Sequence, residues 1–223
     1  MMIFFIKFTI MNIAALSDTH GRHQDVKFDE KQLAADMLIY GGDFTLNNYQ
    51  DPLNSEIKKQ VEAFLIWLSA QPQKYKILIG GNHDFFADKK FSEFKKMLPS
   101  NIIYLNNETV EIEGLKIFGS PNTSNLPGWA FGDLEKNMSK YYDKIPADVD
   151  ILVTHTPPYG ILDLSSNGNR YGSTTLLEKM KSLKPKINMF GHVHESYGSL
   201  IKDDVLYANV NVYNGKDPSY FEI

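Results

Sequence analysis

Asp18, His20, Asp43, Asn82, His83, Asp84, His155, His192 and His194 are the residues of this sequence whose types and spacing could do chemistry. Each offers an oxygen or nitrogen lone pair suited to a divalent cation, and an imidazole held beside such a cation can also move a proton. They fall in short blocks: Asp18-Thr-His20, Gly42-Asp43, Gly81-Asn-His-Asp84, His155-Thr-Pro-Pro and Gly191-His-Val-His194. In the last block the two-residue spacing turns both imidazoles to one side of an extended segment. Taken singly, each block has an ordinary reading. Gly-Asp is a turn, Gly-Asn-His-Asp a turn closed by a side-chain cap, and His155 a core histidine bonded to backbone. Together the blocks hold five of the chain's six histidines, which weighs against five unrelated explanations. His23, the sixth, reads as an ordinary surface residue.

The blocks share a position, because each follows an apolar run. Residues 11–17 lead to Asp18, 36–40 to Gly-Gly-Asp43, 75–79 to Gly-Gly-Asn82-His83, 151–154 to His155, and 186–190 to Gly-His192. Near-continuous apolar runs suit strands buried on both faces, and in such sheets ligands gather beyond the carboxyl ends of the strands. Five strands would therefore bring the polar set to one rim. Between them, a stripe from Ser55 through Ile57, Val61, Phe64, Leu65 and Leu68 predicts a helix that ends before Pro72. Residues 89–98 repeat the signal more weakly up to Pro99, and 133–145 more faintly still. Ser173 caps a further expected helix carrying Leu176, Leu177, Met180 and Leu183, stopped by Pro185. Alternation over 109–113 with 115–119, and over 197–201 with 205–208, predicts hairpins through Gly114 and through Lys202-Asp203-Asp204. The expected fold class is α/β, a four-layer αββα sandwich of two mixed sheets with flanking helices, in one domain over residues 1–223.

Composition narrows the chemistry. The 223 residues carry 23 Lys and Arg against 27 Asp and Glu, a net charge of −4. No generally basic face is available, so duplex nucleic acid is not an expected partner. With no cysteine, thiolate nucleophiles, disulfides, iron–sulfur clusters and cysteine zinc sites are excluded. A metal must then be held by nitrogen and oxygen, which points to Mn, Fe, Zn or Co rather than Mg alone. Residues 1–16 are mostly apolar, but Lys7, Thr9 and Asn12 interrupt them, and a membrane span needs roughly 20 apolar residues. A signal peptide cut after Ala14-Ala15 would leave Asp18 beside a free terminus. Residues 1–10 therefore read as an N-terminal extension of the first strand, or as preceding a start at Met11. The expected setting is cytoplasmic, with no membrane partner.

In this order, Asp-x-His, Gly-Asp, Gly-Asn-His-Asp, His and Gly-His-x-His resemble the calcineurin-like metallophosphoesterases, over residues 18–194. Further stretches narrow the resemblance: Gly119-Ser-Pro with Gly128-Trp129 and Phe131, His155-Thr-Pro-Pro-Tyr-Gly with Leu162-Asp163, Lys184-Pro185-Lys186, and the run from Phe190 to Gly198. These look like the metallophosphoesterase-domain-containing proteins related to class III cyclic-nucleotide phosphodiesterases. The resemblance implies two divalent metal ions, with manganese the first choice in vitro. Asp18, His20 and His194 would hold one ion, and Asn82, His155 and His192 the other, with Asp43 between them. It implies a hydroxide bridging the ions for in-line attack on a small phosphodiester, a cyclic nucleotide in particular. His83, oriented by Asp84, would act as general acid or phosphate contact, and Arg22 would approach a phosphate oxygen.

Departures from related patterns bear on the branch. Gly42-Asp43-Phe44-Thr45-Leu46-Asn47 lacks the arginine of the protein phosphatases, and Leu46 stands where purple acid phosphatases have a ligand tyrosine. Asn47 falls one residue late for the second-block Asp or Asn of most cyclic-nucleotide phosphodiesterases. Trp129, Phe131 and Tyr159 could stack a nucleobase or cover the rim of the sheet. A phosphomonoesterase and a non-catalytic protein-binding scaffold remain as alternatives.

Overall fold

The computed structural model describes residues 10–46, 53 and 56–223. Apart from Ile10, the expected N-terminal extension lies outside these residues, as do Asn47 and the expected helix start at Ser55. In chain order the strands are β1 (Asn12–Leu16), β2 (Met37–Gly41), β3 (Tyr75–Ile79), β4 (Ile103–Tyr104), β5 (Glu108–Ile112), β6 (Leu115–Ser120), β7 (Thr123–Ser124), β8 (Gly132–Asp133), β9 (Ile151–Thr154), β10 (Ile187–Phe190), β11 (Gly198–Lys202), β12 (Val205–Asn209) and β13 (Ser219–Glu222). The helices are α1 (Glu30–Leu33), α2 (Ile57–Ser69), α3 (Phe85–Lys89), α4 (Phe91–Met97), α5 (Ser139–Tyr142) and α6 (Thr174–Met180).

Two mixed sheets result, in the orders β13-β1-β2-β3-β4 and β11-β12-β10-β9-β6-β5. Their central strands run parallel, and antiparallel strands close three of the four edges. Because side chains alternate along a strand, each central strand feeds two cores. Ile13 and Ala15 of β1, Met37 and Ile39 of β2, and Ile77 and Ile79 of β3 face Ile117, Ile151, Val153, Ile187 and Met189 of the second sheet. The intervening Ala14, Leu16, Leu38, Tyr40 and Leu78 pack outward against Val61, Phe64, Leu65 and Leu68 of α2. On the other outer face, Phe118, Leu152, Phe190 and Tyr207 meet Leu176 and Met180 of α6. This is the expected αββα sandwich. None of the described helices is long and apolar enough to cross a membrane.

Both expected hairpins form, and the turn residues show why. Glu113 and Gly114 (φ 51° and 80°), like Asp203 and Asp204 (φ 51° and 65°), all lie in the left-handed region, as two-residue turns between twisted strands require. Ser173 accepts from Leu176 N at 3.1 Å and starts α6. The expected helix over 133–145 is reduced to a 3-10 turn at Glu135–Asn137 and the single turn α5. Asp133 accepts from Leu134 N and Asn137 Nδ2 within the segment, while Glu135 reaches across to accept from Thr175 N. His23 is not on the surface. It is 4% exposed, with its ring 5.6 Å from Phe64 and 5.5 Å from Trp67, because the 3-10 turn His23–Asp25 tucks it against α2. Phe131, at 8% exposed, belongs to the core.

Candidate metal centre

The chain leaves β1 into Ser17-Asp18, β2 into Gly42-Asp43 and β3 into Gly80-Gly-Asn82-His83, all from one sheet. From the other sheet, β9 runs into His155 and β10 into Gly191-His192-Val-His194. The two sheets thus contribute to one rim. The turns needed to do so are tight. Asp18, His20, Asp43 and His192 adopt φ of 59°, 46°, 56° and 69°, a region that costs a non-glycine residue on the order of 1–3 kcal/mol. Bonds between the loops hold them there. Asp18 N donates to Gly42 O at 2.9 Å and His20 N to Asp43 O at 3.0 Å. His83 N donates to Asp43 Oδ1 at 2.8 Å, and His192 N to Asp18 at 3.1 Å. Glycine is required at two close approaches. A Cβ on Gly81 would strike the Asp43 carboxylate and the His155 ring, and one on Gly191 would strike Asp18 and Ser17.

The donors converge in three compact groups: Asp18, His20 and His194; His20, Asp43 and His83; and Asp18, Asp43 and His155. His194 Nε2 lies 3.4 Å from Asp18 Oδ1, and His20 Nε2 lies 3.9 Å from both Asp18 Oδ1 and Asp43 Oδ2. His155 Nε2 lies 3.3 Å from Asp43 Oδ2 and 3.1 Å from Asn82 Oδ1, while its Nδ1 is 2.8 Å from Gly41 O. Donation from Nδ1 to that carbonyl turns the Nε2 lone pair towards the cluster. His192 stands beside His155, ring centroids 5.2 Å apart, outside the three groups. The Gly-His-Val-His segment is not extended as expected. His192 is left-handed and His194 opens a 3-10 turn, so the two imidazoles reach the rim through a bend rather than through strand alternation.

The electrostatics favour cations here. Asp18 and Asp43 are fully buried, and among the described residues no Lys or Arg lies within ion-pair distance of either, only imidazoles. Burial opposes charge on Asp43, yet the neighbouring His155, His83 and His20 hold its pKa well below the carboxylate range. Burial likewise opposes charge on His155, yet the Asp43 carboxylate lifts its pKa to about 10. Burial and the charge of His155 push His192 down to about 3. His20 Nε2 meets His194 Nε2 at 3.1 Å, two ring nitrogens aimed at one another, while the buried His20 Nδ1 has no hydrogen-bond partner among the described residues. Buried carboxylates faced by imidazoles, whose protons a cation can displace, are the donor set of divalent ions, so the residues fit a metal centre.

The remaining site residues fall around this core. His83 packs edge-on against His20 at 4.7 Å and against Trp129 at 5.0 Å. The fully buried Asp84 accepts from Asp43 N and Gly81 N at 2.8 Å and from Thr45 N and Thr45 Oγ1 at 2.9 Å. It therefore staples the β2 and β3 loops together and reaches His83 through backbone, since the Thr45 hydroxyl lies 2.9 Å from both Asp84 Oδ1 and His83 O and shares its one proton between them. Arg22 is exposed at the edge. Sequence reading missed a second supporting set after β12. Asn209 and Asn211 donate to Val193 O, Lys216 donates to His194 O, and the Tyr213 ring stacks on His194 at 4.1 Å. The alternating Asn209-Val-Asn211-Val run, polar residues inside a buried segment, was the available signal.

Residues 11–196 match the family model of the calcineurin-like phosphoesterases. The chain is 34% identical over 223 aligned residues to human metallophosphoesterase domain-containing protein 1, covering 88% of this chain and 64% of that protein. To UPF0046 protein T07D4.2 of Caenorhabditis elegans it is 32% identical, over 81% of this chain and 50% of that one. The chain thus spans only between half and two thirds of these relatives. A protein of known crystal structure shares the fold at a TM-score of 0.74, with 15% identity over 96% of this chain and 95% of the other.

Proposed function

The chain belongs to the calcineurin-like phosphoesterase family, and from that premise we propose that it is a metal-dependent phosphodiesterase acting on a small ester, a cyclic nucleotide in particular. The observation that carries the reading is the convergence of three donor groups from two sheets, two of them sharing Asp43. In this reading Asp18, His20 and His194 hold one divalent ion, Asn82, His155 and His192 a second, and Asp43 serves both. Manganese is the first choice among Mn, Fe, Zn and Co. Bound there, the ions would acidify a water and neutralise phosphate charge.

The chain's own residues supply the rest. His83 stands beside the cluster, against His20 and Trp129, and donates the proton the leaving alkoxide needs, a contribution of roughly 10²–10⁴-fold. Asp84 keeps the loops of Asp43 and His83 in register. Arg22 meets a phosphate oxygen, and Trp129 walls the reacting side. Residues 1–223 act as one domain.

The test is a panel of 2′,3′- and 3′,5′-cyclic nucleotides with bis- and mono-nitrophenyl phosphates, assayed on manganese-loaded protein. Diesters should turn over fastest. His83→Ala should keep its metal and lose most turnover, and Asp43→Asn should lose both ions. Faster monoester hydrolysis would overturn the diesterase assignment, and undiminished turnover in His83→Ala the proton-donor role.

A further inference from the structure

Tyr213 has no part in the chemistry above, yet it touches the centre. Its ring stacks on the His194 imidazole with centroids 4.1 Å apart and 23° between planes, and stands edge-on to His20 at 5.5 Å. It is half-buried and also lines a cleft of about 450 Å³ that has Asp18 in its wall. That size is ordinary for a small-molecule site. One side of the cleft comes from the segment after β1, with Arg22, Asp25 and Lys27, and the other from the segment after β12, with Tyr213, Lys216 and Asp217. Arg22 has no carboxylate partner among the described residues. The Lys216 ammonium is tethered by Asn211 Oδ1 at 3.1 Å. The cleft therefore joins three features: a wall that reaches Asp18 of the metal centre, charges of both signs on each side (Arg22 and Lys27 with Asp25, Lys216 with Asp217), and an aromatic ring already packed against His194.

We propose that this cleft seats the part of the substrate that does not react, that this part is a nucleoside, and that its base stacks on Tyr213. The proposal rests on the phosphoesterase reading for the placing of the reacting phosphorus. A ring held by His194 gives up little freedom when a base packs on it, and every base has a face to stack. Trp129 is different. It is held against His83 and Phe85, at 5.0 and 6.0 Å, on the side given to the leaving group.

Calorimetric titration of the metal-loaded protein with adenosine 5′-monophosphate and with ribose 5-phosphate tests the proposal, since the two probes differ by the base. The nucleotide should bind about 10-fold tighter, the usual effect of one stacked base. Compared at equal metal occupancy, Tyr213→Leu should abolish that preference by weakening the nucleotide towards the ribose 5-phosphate level, while Trp129→Leu should preserve it. No preference in the parent, its survival in Tyr213→Leu, or its loss in Trp129→Leu would each overturn the assignment. A second measurement needs no variant: adenine protons of the bound nucleotide should show NMR contacts to a tyrosine ring, and contacts to indole alone would refute it. Failure to hydrolyse any ester with the base preference intact would sink the phosphoesterase reading and leave the cleft standing. Hydrolysis without base preference would do the reverse.

Discussion

Replacing Asp84 decides whether it serves the loops or the His83 imidazole. Its Oδ2 accepts from Asp43 N and Gly81 N, both at 2.8 Å, and its Oδ1 from Thr45 N and Thr45 Oγ1, both at 2.9 Å. In Asp84→Asn one oxygen becomes an amide donor. The cheaper orientation sets it at the Oδ1 end, where the Thr45 hydroxyl can rotate to accept and only Thr45 N–H loses its partner. One buried orphan donor, with weaker bonds at the oxygen that stays, costs about 2 kcal/mol. In Asp84→Ala four buried N–H groups, those of Asp43, Thr45, Gly81 and, at 3.4 Å, Phe44, lose their acceptor, and at about 1–3 kcal/mol each the loss is on the order of 5–10 kcal/mol, comparable with a domain's whole stability of roughly 5–15 kcal/mol. Urea unfolding of the metal-free proteins measures both, and manganese titration should weaken in parallel because Asp43 and His83 shift with their loops. If both variants unfold within about 0.5 kcal/mol of the parent while turnover collapses, the stapling role is wrong and Asp84 acts on the chemistry of His83.

Three further outcomes follow from the structure. Glu135 accepts from Thr175 N at 2.6 Å and from Ser173 and Thr174 hydroxyls at 2.9 and 3.0 Å; burial opposes its charge, but these bonds hold its pKa below the ordinary 4.5. A depressed carboxylate stabilises above its unfolded pKa and loses that benefit on acidification, so Glu135→Gln should cost roughly 1 kcal/mol at pH 7, a difference from the parent that fades below pH ~4.5 in denaturation curves; a gap unchanged at pH ~3 would refute this. Both buried ring nitrogens of His23 lack a hydrogen-bond partner among the described residues, and burial holds its pKa below 6.5. The unfolded chain then takes the proton first and stability falls as pH drops through 6.5; His23→Phe should add about 1 kcal/mol at pH 7 and more at pH ~5.5, and a gain that shrinks on acidification would contradict the sign. Gly191→Ala drives a methyl into Asp18 and Ser17 and should weaken manganese binding about 10–100-fold by calorimetry, whereas parent-like affinity would show that the rim relaxes.

Much of this molecule was legible along the chain because strands buried on both faces write themselves as unbroken apolar runs. Residues 75–79 and 187–190 form strands where that pattern placed them, and both hairpins follow from alternation around turn residues. The polar blocks were legible for the same reason: a donor just past such a run has to emerge at the strand's end. Where local periodicity was weak, tertiary partners took over. Over residues 133–145 Glu135 is drawn to Thr175 at the start of α6 instead of continuing a helix, and His23 went inside because α2 offered Phe64 and Trp67.

By itself, then, the sequence determined the strongly patterned elements, the two-sheet layering and the placing of the polar blocks at the strand ends, since those follow from side-chain pattern within a few residues. Only the tertiary structure decided how the donors meet. The left-handed turns at Asp18, His20, Asp43 and His192 are tolerated because bonds from other loops impose them, and no local preference announces such a conformation. The partners of Asp84, and the support lent to His194 by Asn211, Tyr213 and Lys216, join segments far apart in the chain. Their energy exists only once the two sheets have packed.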